Sequence, residues 1–243
     1  MPTPAPINRI VVADPAALAI AAAARLMALI EANPDRIAIC LTGGSSPKQL
    51  YHLLGTGLYA KKIPWDRVHW FIGDERFVPP SDPLNNMAMA RRIFLDHLAP
   101  KDHIHAIPTD AASPDESAQR YERELKIFYR ADDLDPKRPL FDLVLMGVGP
   151  DGHTASLFPG YPALAEMTRW VTGVPQAHVE PFVPRVTLTL PALTSCREML
   201  FEVAGREKHA ILDKLSKDES LPANRARSIR ETAMLVDRAA AGE

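Results

Sequence analysis

Hydrophobic positions fall into short apolar runs that alternate with stretches of helical period. Ile10-Val11-Val12 reads as a first strand, and Asp14-Pro15 then heads an alanine-rich helix reaching Glu31, with Asp14 as N-cap and proline at the first helical position. The run over 36–41 has turn residues on both sides, which predicts a strand buried on both faces. The pattern next predicts a helix over 48–54, a strand over 68–72, a helix over 87–95 and a charged amphipathic helix over 117–129. Residues 141–146 are the most apolar strand of the chain, followed by an alternating strand over 186–190, a strand over 199–203, a helix over 207–215 and a last strand over 233–236. Strands alternating with helices, several of them apolar throughout, predict an α/β fold with a Rossmann-like parallel sheet and helices on both faces. The 23 prolines punctuate loops and mark no disordered linker, so residues 1–243 read as a single domain, with room for a small subdomain on its loops.

Charge narrows the picture. Twenty-eight Lys and Arg against 30 Asp and Glu give a net charge of −2, which excludes a strongly basic nucleic-acid binder but not a protein that holds a small anion. The two cysteines, Cys40 and Cys196, form no CxxC pair, and Cys40 lies within an apolar run as a small buried hydrophobe. So few cysteines fit a reducing compartment. The apolar stretch 16–30, broken by Arg25, reads as too short and too mild to span a bilayer, and no basic stretch precedes an apolar core at the N-terminus. The expectation is a soluble cytoplasmic protein with neither membrane nor nucleic-acid partners, a monomer by default.

Four polar clusters border the strands. In an open parallel sheet, ligands bind beyond the carboxyl ends of the strands, so clusters following several strands converge on one edge. Thr42-Gly43-Gly44-Ser45-Ser46 follows the second strand and has the makings of an anion nest at a helix N-terminus, though it is no Walker A loop. Gly73-Asp74-Glu75-Arg76-Phe77 follows the third: Asp74 can accept from sugar hydroxyls or hold a water, and Arg76 can fork onto a phosphate or carboxylate. Gly147-Val148-Gly149-Pro150-Asp151-Gly152-His153-Thr154 follows the most apolar strand. Its G-x-G-x-x-G spacing is not that of a dinucleotide site, because Pro159-Gly160 stops any following helix within a turn or two. His153 is the candidate general base, a role typically worth about 10²–10⁴-fold, with a nearby carboxylate to orient its ring. Arg185, heading its strand, and Lys208, opening a helix, become phosphate clamps if they lie beside the nest. Asp102-His103-Ile104-His105 lacks a third ligand and reads as incidental, there is no zinc-ligand spacing and no G-x-S-x-G elbow, and neither metal nor cofactor is expected.

Together these segments resemble the 6-phosphogluconolactonase family. The match runs through Leu41-Thr42-Gly43-Gly44-Ser45-Ser46-Pro47, the run from Gly73 to Pro79, the run from Gly147 to Pro159, Pro184-Arg185-Val186-Thr187-Leu188-Thr189 and Gly205-Arg206-Glu207-Lys208, in the family's order and across nearly the whole chain. One departure is Asn85-Asn86, where the family commonly reads Ser-Asn. The resemblance implies hydrolysis of 6-phospho-D-glucono-1,5-lactone, the second step of the oxidative pentose phosphate pathway. It implies His153 as the base, Asp151 or Asp74 orienting it, and Thr42, Gly43, Gly44, Ser45, Arg185 and Lys208 around the phosphate, with Arg76 serving either the phosphate or the C1 oxyanion. Two alternatives are weighed against it. Glucosamine-6-phosphate deaminases share the Gly-x-Gly-x-Asp-Gly-His strand end but carry an acid shortly after the histidine, where this chain has Ser156-Leu157-Phe158-Pro159. A sugar-phosphate sensor domain of a transcription regulator needs an attached helix-turn-helix, and the chain shows no basic recognition helix.

Overall fold

A computed structural model describes residues 6–243. In chain order its strands are β1 (Asn8–Val12), β2 (Ile37–Leu41), β3 (Val68–Ile72), β4 (Asp74–Arg76), β5 (Phe141–Met146), β6 (Val171–Val174), β7 (Arg185–Leu188), β8 (Cys196–Val203) and β9 (Glu231–Asp237). Six of them form one sheet in the order β1-β9-β8-β5-β2-β3, with every neighbouring pair parallel. β2 and β5 are buried at every residue, as strands covered on both faces must be, and this is why they read as unbroken apolar runs. One continuous hydrophobic core takes in residues of both this sheet and a smaller one.

The smaller sheet is antiparallel, in the order β4-β7-β6, and it departs from expectation in two ways. The alternating segment 186–190 is a strand, Arg185–Leu188, but it joins this sheet and not the parallel one. Asp74-Glu75-Arg76 is itself a strand and not a connection, pairing Asp74 with Thr187 and Arg76 with Arg185. Helix boundaries shift where caps act. Ser113 accepts from the Glu116 N–H at 3.1 Å with Pro114 at the first position, so the amphipathic helix spans Pro114–Tyr129 and begins earlier than expected. The helix expected over 87–95 runs Asn86–Ala90 and widens into a π turn over Arg91–Leu95. That expected over 207–215 starts as a 3₁₀ turn, Arg206–Lys208, before His209–Leu215.

The first helix spans Pro15–Ala32, and Asp14 caps it by accepting from the Ala17 N–H at 2.8 Å. At 18 residues and a mean hydropathy of 1.6 it is long and apolar enough to cross a bilayer, which corrects the expectation from length. Its packing is that of a core helix: Leu18, Ala22, Leu26 and Ile30 are buried, and Arg25 binds Glu198 and Glu231 at 2.6 and 3.0 Å.

Candidate active site

From β2 the chain passes to β3 on one side, and from β5 to β8 on the other. The strand order therefore reverses between β2 and β5, and a crevice opens at their carboxyl ends. A cavity of about 220 Å³ occupies it. Of the ten site residues expected from sequence, nine line it: Thr42, Gly43, Gly44, Ser45, Asp74, Arg76, His153, Arg185 and Lys208. The tenth, Asp151, stands behind His153. Three of the four clusters follow parallel strands; the fourth departs from that scheme, because Arg185 comes in on the antiparallel β7, which the short β4 brings alongside.

Asp151 Oδ1 lies 2.5 Å from His153 Nδ1 and also accepts the His153 backbone N–H at 3.1 Å. Burial works against the charge of Asp151, but the hydrogen bonds and charge of His153 outweigh it and hold this carboxyl well below the usual carboxylate range. An ionised carboxylate only accepts, so Nδ1 is the donor. The ring packs on Phe158 at 4.7 Å between centroids. It also covers Gly149 so closely that a Cβ there would lie 2.0 Å from the imidazole, so glycine is required at that position. The other oxygen of Asp151 accepts from His178 Nε2 at 2.9 Å, a partner that the sequence did not reveal.

Asp74 is not part of this arrangement. Its Oδ2 accepts from Ser156 Oγ at 2.6 Å, tying the loop after β5 to the small sheet, so of the two candidate orienting carboxylates Asp151 is the one placed on His153. Glu75 is fully buried and accepts the backbone N–H groups of Arg76, Asn86 and Met87 at 2.8, 2.6 and 2.8 Å. Burial pushes its carboxyl up to about 7, the three hydrogen bonds pulling the other way. Asn85 caps the next helix by accepting the Ala88 N–H at 2.8 Å, the task a serine performs at an N-cap. Asn86 accepts from Arg76 Nη1 at 2.7 Å and donates to the Asp74 carbonyl at 2.9 Å. It lies against Gly43, where a Cβ would come within 2.1 Å of its side-chain oxygen.

Arg185 is buried, Arg76 and Lys208 are half-buried, and all three are only partly committed. Arg185 is 3% exposed and donates from Nη2 to the Pro181 carbonyl at 2.9 Å, while its Nε and the Nε of Arg76 have no partner among the described residues. Burial lowers the pKa of Arg185, with nearby Asp74 opposing the shift. Lys208 Nζ donates to the Val148 carbonyl at 2.7 Å, and burial lowers its pKa as well. Glu202, at the carboxyl end of β8, also lines the cavity. A lone charge in the apolar run Leu200-Phe201-Glu202-Val203 was the sequence signal for it, and for Ser156 the signal was its place in the loop after His153. Away from the cavity, His105 joins His69 at 3.0 Å and Glu124 at 2.6 Å.

The description "glucosamine-6-phosphate isomerases/6-phosphogluconolactonase" covers a family that matches residues 13–235. The chain is 38% identical over 214 residues to the 6-phosphogluconolactonase of a Nostoc species, spanning 86% of this chain and 85% of that one. It is 36% identical to that of Streptomyces coelicolor, spanning 95% and 92%. Among solved structures, 6-phosphogluconolactonase from Trypanosoma cruzi superimposes with a TM-score of 0.86 at 29% identity, covering 99% of this chain and 98% of that one. A monomeric glucosamine-6-phosphate deaminase shares the fold, with a TM-score of 0.81 at 18% identity over 97% of this chain and 99% of that one. With matched sequence from residue 13 to residue 235 and the reversed strand order at β2 and β5, the chain belongs to the glucosamine-6-phosphate isomerase/6-phosphogluconolactonase family.

Proposed function

We propose that this protein hydrolyses 6-phospho-D-glucono-1,5-lactone to 6-phospho-D-gluconate, the activity named for its curated relatives. The observation that carries the reading is a histidine held by an ionised carboxylate in the same cavity as a glycine nest and three cations, Arg76, Arg185 and Lys208. His153 Nε2 takes a proton from water, and the oxygen of that water attacks C1 of the lactone. The carbonyl oxygen becomes an oxyanion, the C1–O5 bond breaks as the carbonyl re-forms, O5 takes the proton back from the His153 imidazolium and leaves as the C5 hydroxyl of the open chain, and the new carboxylic acid releases its proton to solvent. Asp151 keeps Nδ1 protonated and stabilises the imidazolium. Gly43, Gly44 and Ser45 receive the 6-phosphate with Lys208 and Arg185. Arg76 serves the phosphate too, because Asn86 ties it to Gly43. Thr42 shapes the nest, and Asp74 fixes the loop that carries His153. Holding the phosphate places C1 against the base, which is the orientation contribution.

The residues after His153 favour this over deamination, since Ser156-Leu157-Phe158-Pro159 supplies no acid to carry protons. The test follows consumption of freshly generated lactone, corrected for spontaneous hydrolysis. Wild type accelerates it, and His153→Ala loses at least about 10²-fold in kcat while keeping its KM. A folded wild type that does not accelerate hydrolysis overturns the reading; an unimpaired His153→Ala overturns the role of the base.

A further inference from the structure

Glu202 has no task in that hydrolysis. It is 1% exposed, lines the cavity, and among the described residues neither of its carboxyl oxygens has a hydrogen-bond partner. A buried polar side chain left unpaired beside a cavity marks a place that a ligand completes. It lines the same cavity as Thr42, Gly43, Gly44 and Ser45, so a phosphate seated on the glycine nest shares that cavity with its carboxyl. The nest is fixed from below by Tyr51 on the helix Lys48–Leu54, whose hydroxyl donates to the Thr42 carbonyl at 2.7 Å and accepts the Thr42 N–H at 3.1 Å. An ionised carboxylate there would repel the anion that the nest receives, whereas a protonated one offers it an O–H donor.

We propose that Glu202 is a ligand-binding residue of the anion cradle, holding its proton at neutral pH and donating it to a phosphate oxygen of the bound sugar phosphate. The proposal rests on the phosphate occupying the nest, as the proposed function has it. Burial pushes this carboxyl up to about 8. β9 faces it with Leu235 and β5 ends at Met146, both apolar, and of the ionisable residues on the helix Lys48–Leu54 only Tyr51 is buried, Lys48 and His52 being exposed. The remaining ionisable groups lining the cavity are Asp74, Arg76, His153, Glu180, Arg185 and Lys208.

Calorimetric titration with 6-phosphogluconate, inorganic phosphate and gluconate tests this, on wild type, Glu202→Gln and Glu202→Leu between pH 7 and 9, each variant first shown to melt cooperatively. A group that must keep its proton, with a pKa of about 8, weakens binding about 10-fold over that range. Wild type is expected to lose this factor for 6-phosphogluconate and for phosphate, beyond any loss in Glu202→Gln, which keeps a donor that does not ionise. Loss of charge on Lys208 affects both proteins and cancels in the comparison. Glu202→Leu removes the donor and binds 6-phosphogluconate about 10- to 100-fold more weakly at pH 7. An equal decline in wild type and Glu202→Gln overturns the proposal, and so does a pH-dependent difference seen with gluconate, which would put the contact on the sugar chain. Wild type that binds 6-phosphogluconate equally at pH 7 and 9 overturns this proposal alone. Wild type that fails to bind it at pH 7 overturns the phosphate cradle as well.

Discussion

Asp151 sits between two imidazoles, His153 on one oxygen and His178 on the other, and each bond restricts its rotation. Replacing it with asparagine keeps the shape but removes the charge and turns one of the two acceptor oxygens into an NH2 donor, so the two imidazoles can no longer both donate to it and Asp151→Asn is expected to lose about 10²–10⁴-fold in kcat with KM little changed. His178 reaches His153 by its hydrogen bond to Asp151, and its ring also packs on Phe158 at 4.9 Å between centroids. One hydrogen bond of about 0.5–1.5 kcal/mol corresponds to roughly 2- to 12-fold, so His178→Ala should lower kcat by that factor, and His178→Gln, which restores a donor, should recover most of it. Steady-state kinetics of the three proteins decide this. His178 was not legible in the chain because it lies in an irregular segment, 25 residues beyond its partner's histidine, with no period or motif to tie the two together. His153 was legible because the loop that carries it follows an unbroken apolar strand.

Elements became legible in proportion to how they are buried. Strands covered on both faces announce themselves as apolar runs, and β2, β3 and β5 lie where that pattern puts them. β4 consists of three ionisable residues, Asp74-Glu75-Arg76, held in place by side chains distant in sequence, so no apolar signal exists to read. β7 shows its strand character by alternation, but alternation does not say which sheet it joins. Two hydrogen bonds hold these elements to the site. Asn85→Ala removes the cap of the helix Asn86–Ala90 and is expected to cost about 1 kcal/mol of stability, read as a lower urea midpoint. Ser156→Ala leaves the buried Asp74 carboxylate without its hydroxyl donor and is expected to cost about 1–3 kcal/mol, together with some activity as the loop bearing His153 loosens.

Across the whole molecule, Glu75 and Glu202 make stability depend on pH. Burial raises them to about 7 and about 8 from the ordinary glutamate value of 4.5, so in the folded state both hold protons that the unfolded chain has already released. Stability therefore falls as pH rises through that window, and between pH 6.5 and 8 the decline tracks these two groups. Urea midpoints at pH 6.5 and 8 should show the drop in wild type and a shallower one in Glu202→Gln; equal slopes would assign the decline elsewhere. The sheet order carries a consequence of another kind. Among the described residues β1 pairs with β9 alone, Asn8 opposite Ala233 through Val12 opposite Asp237, so β1 waits for a strand that follows it by more than 200 residues. During synthesis the nascent chain holds β1 and the apolar face of the helix Pro15–Ala32 without their closing partner until that later strand has emerged. Deleting the segment from Glu231 onward would then strip β1 and β8 of their shared neighbour at once, leaving a chain that chaperones retain instead of a slightly shortened enzyme.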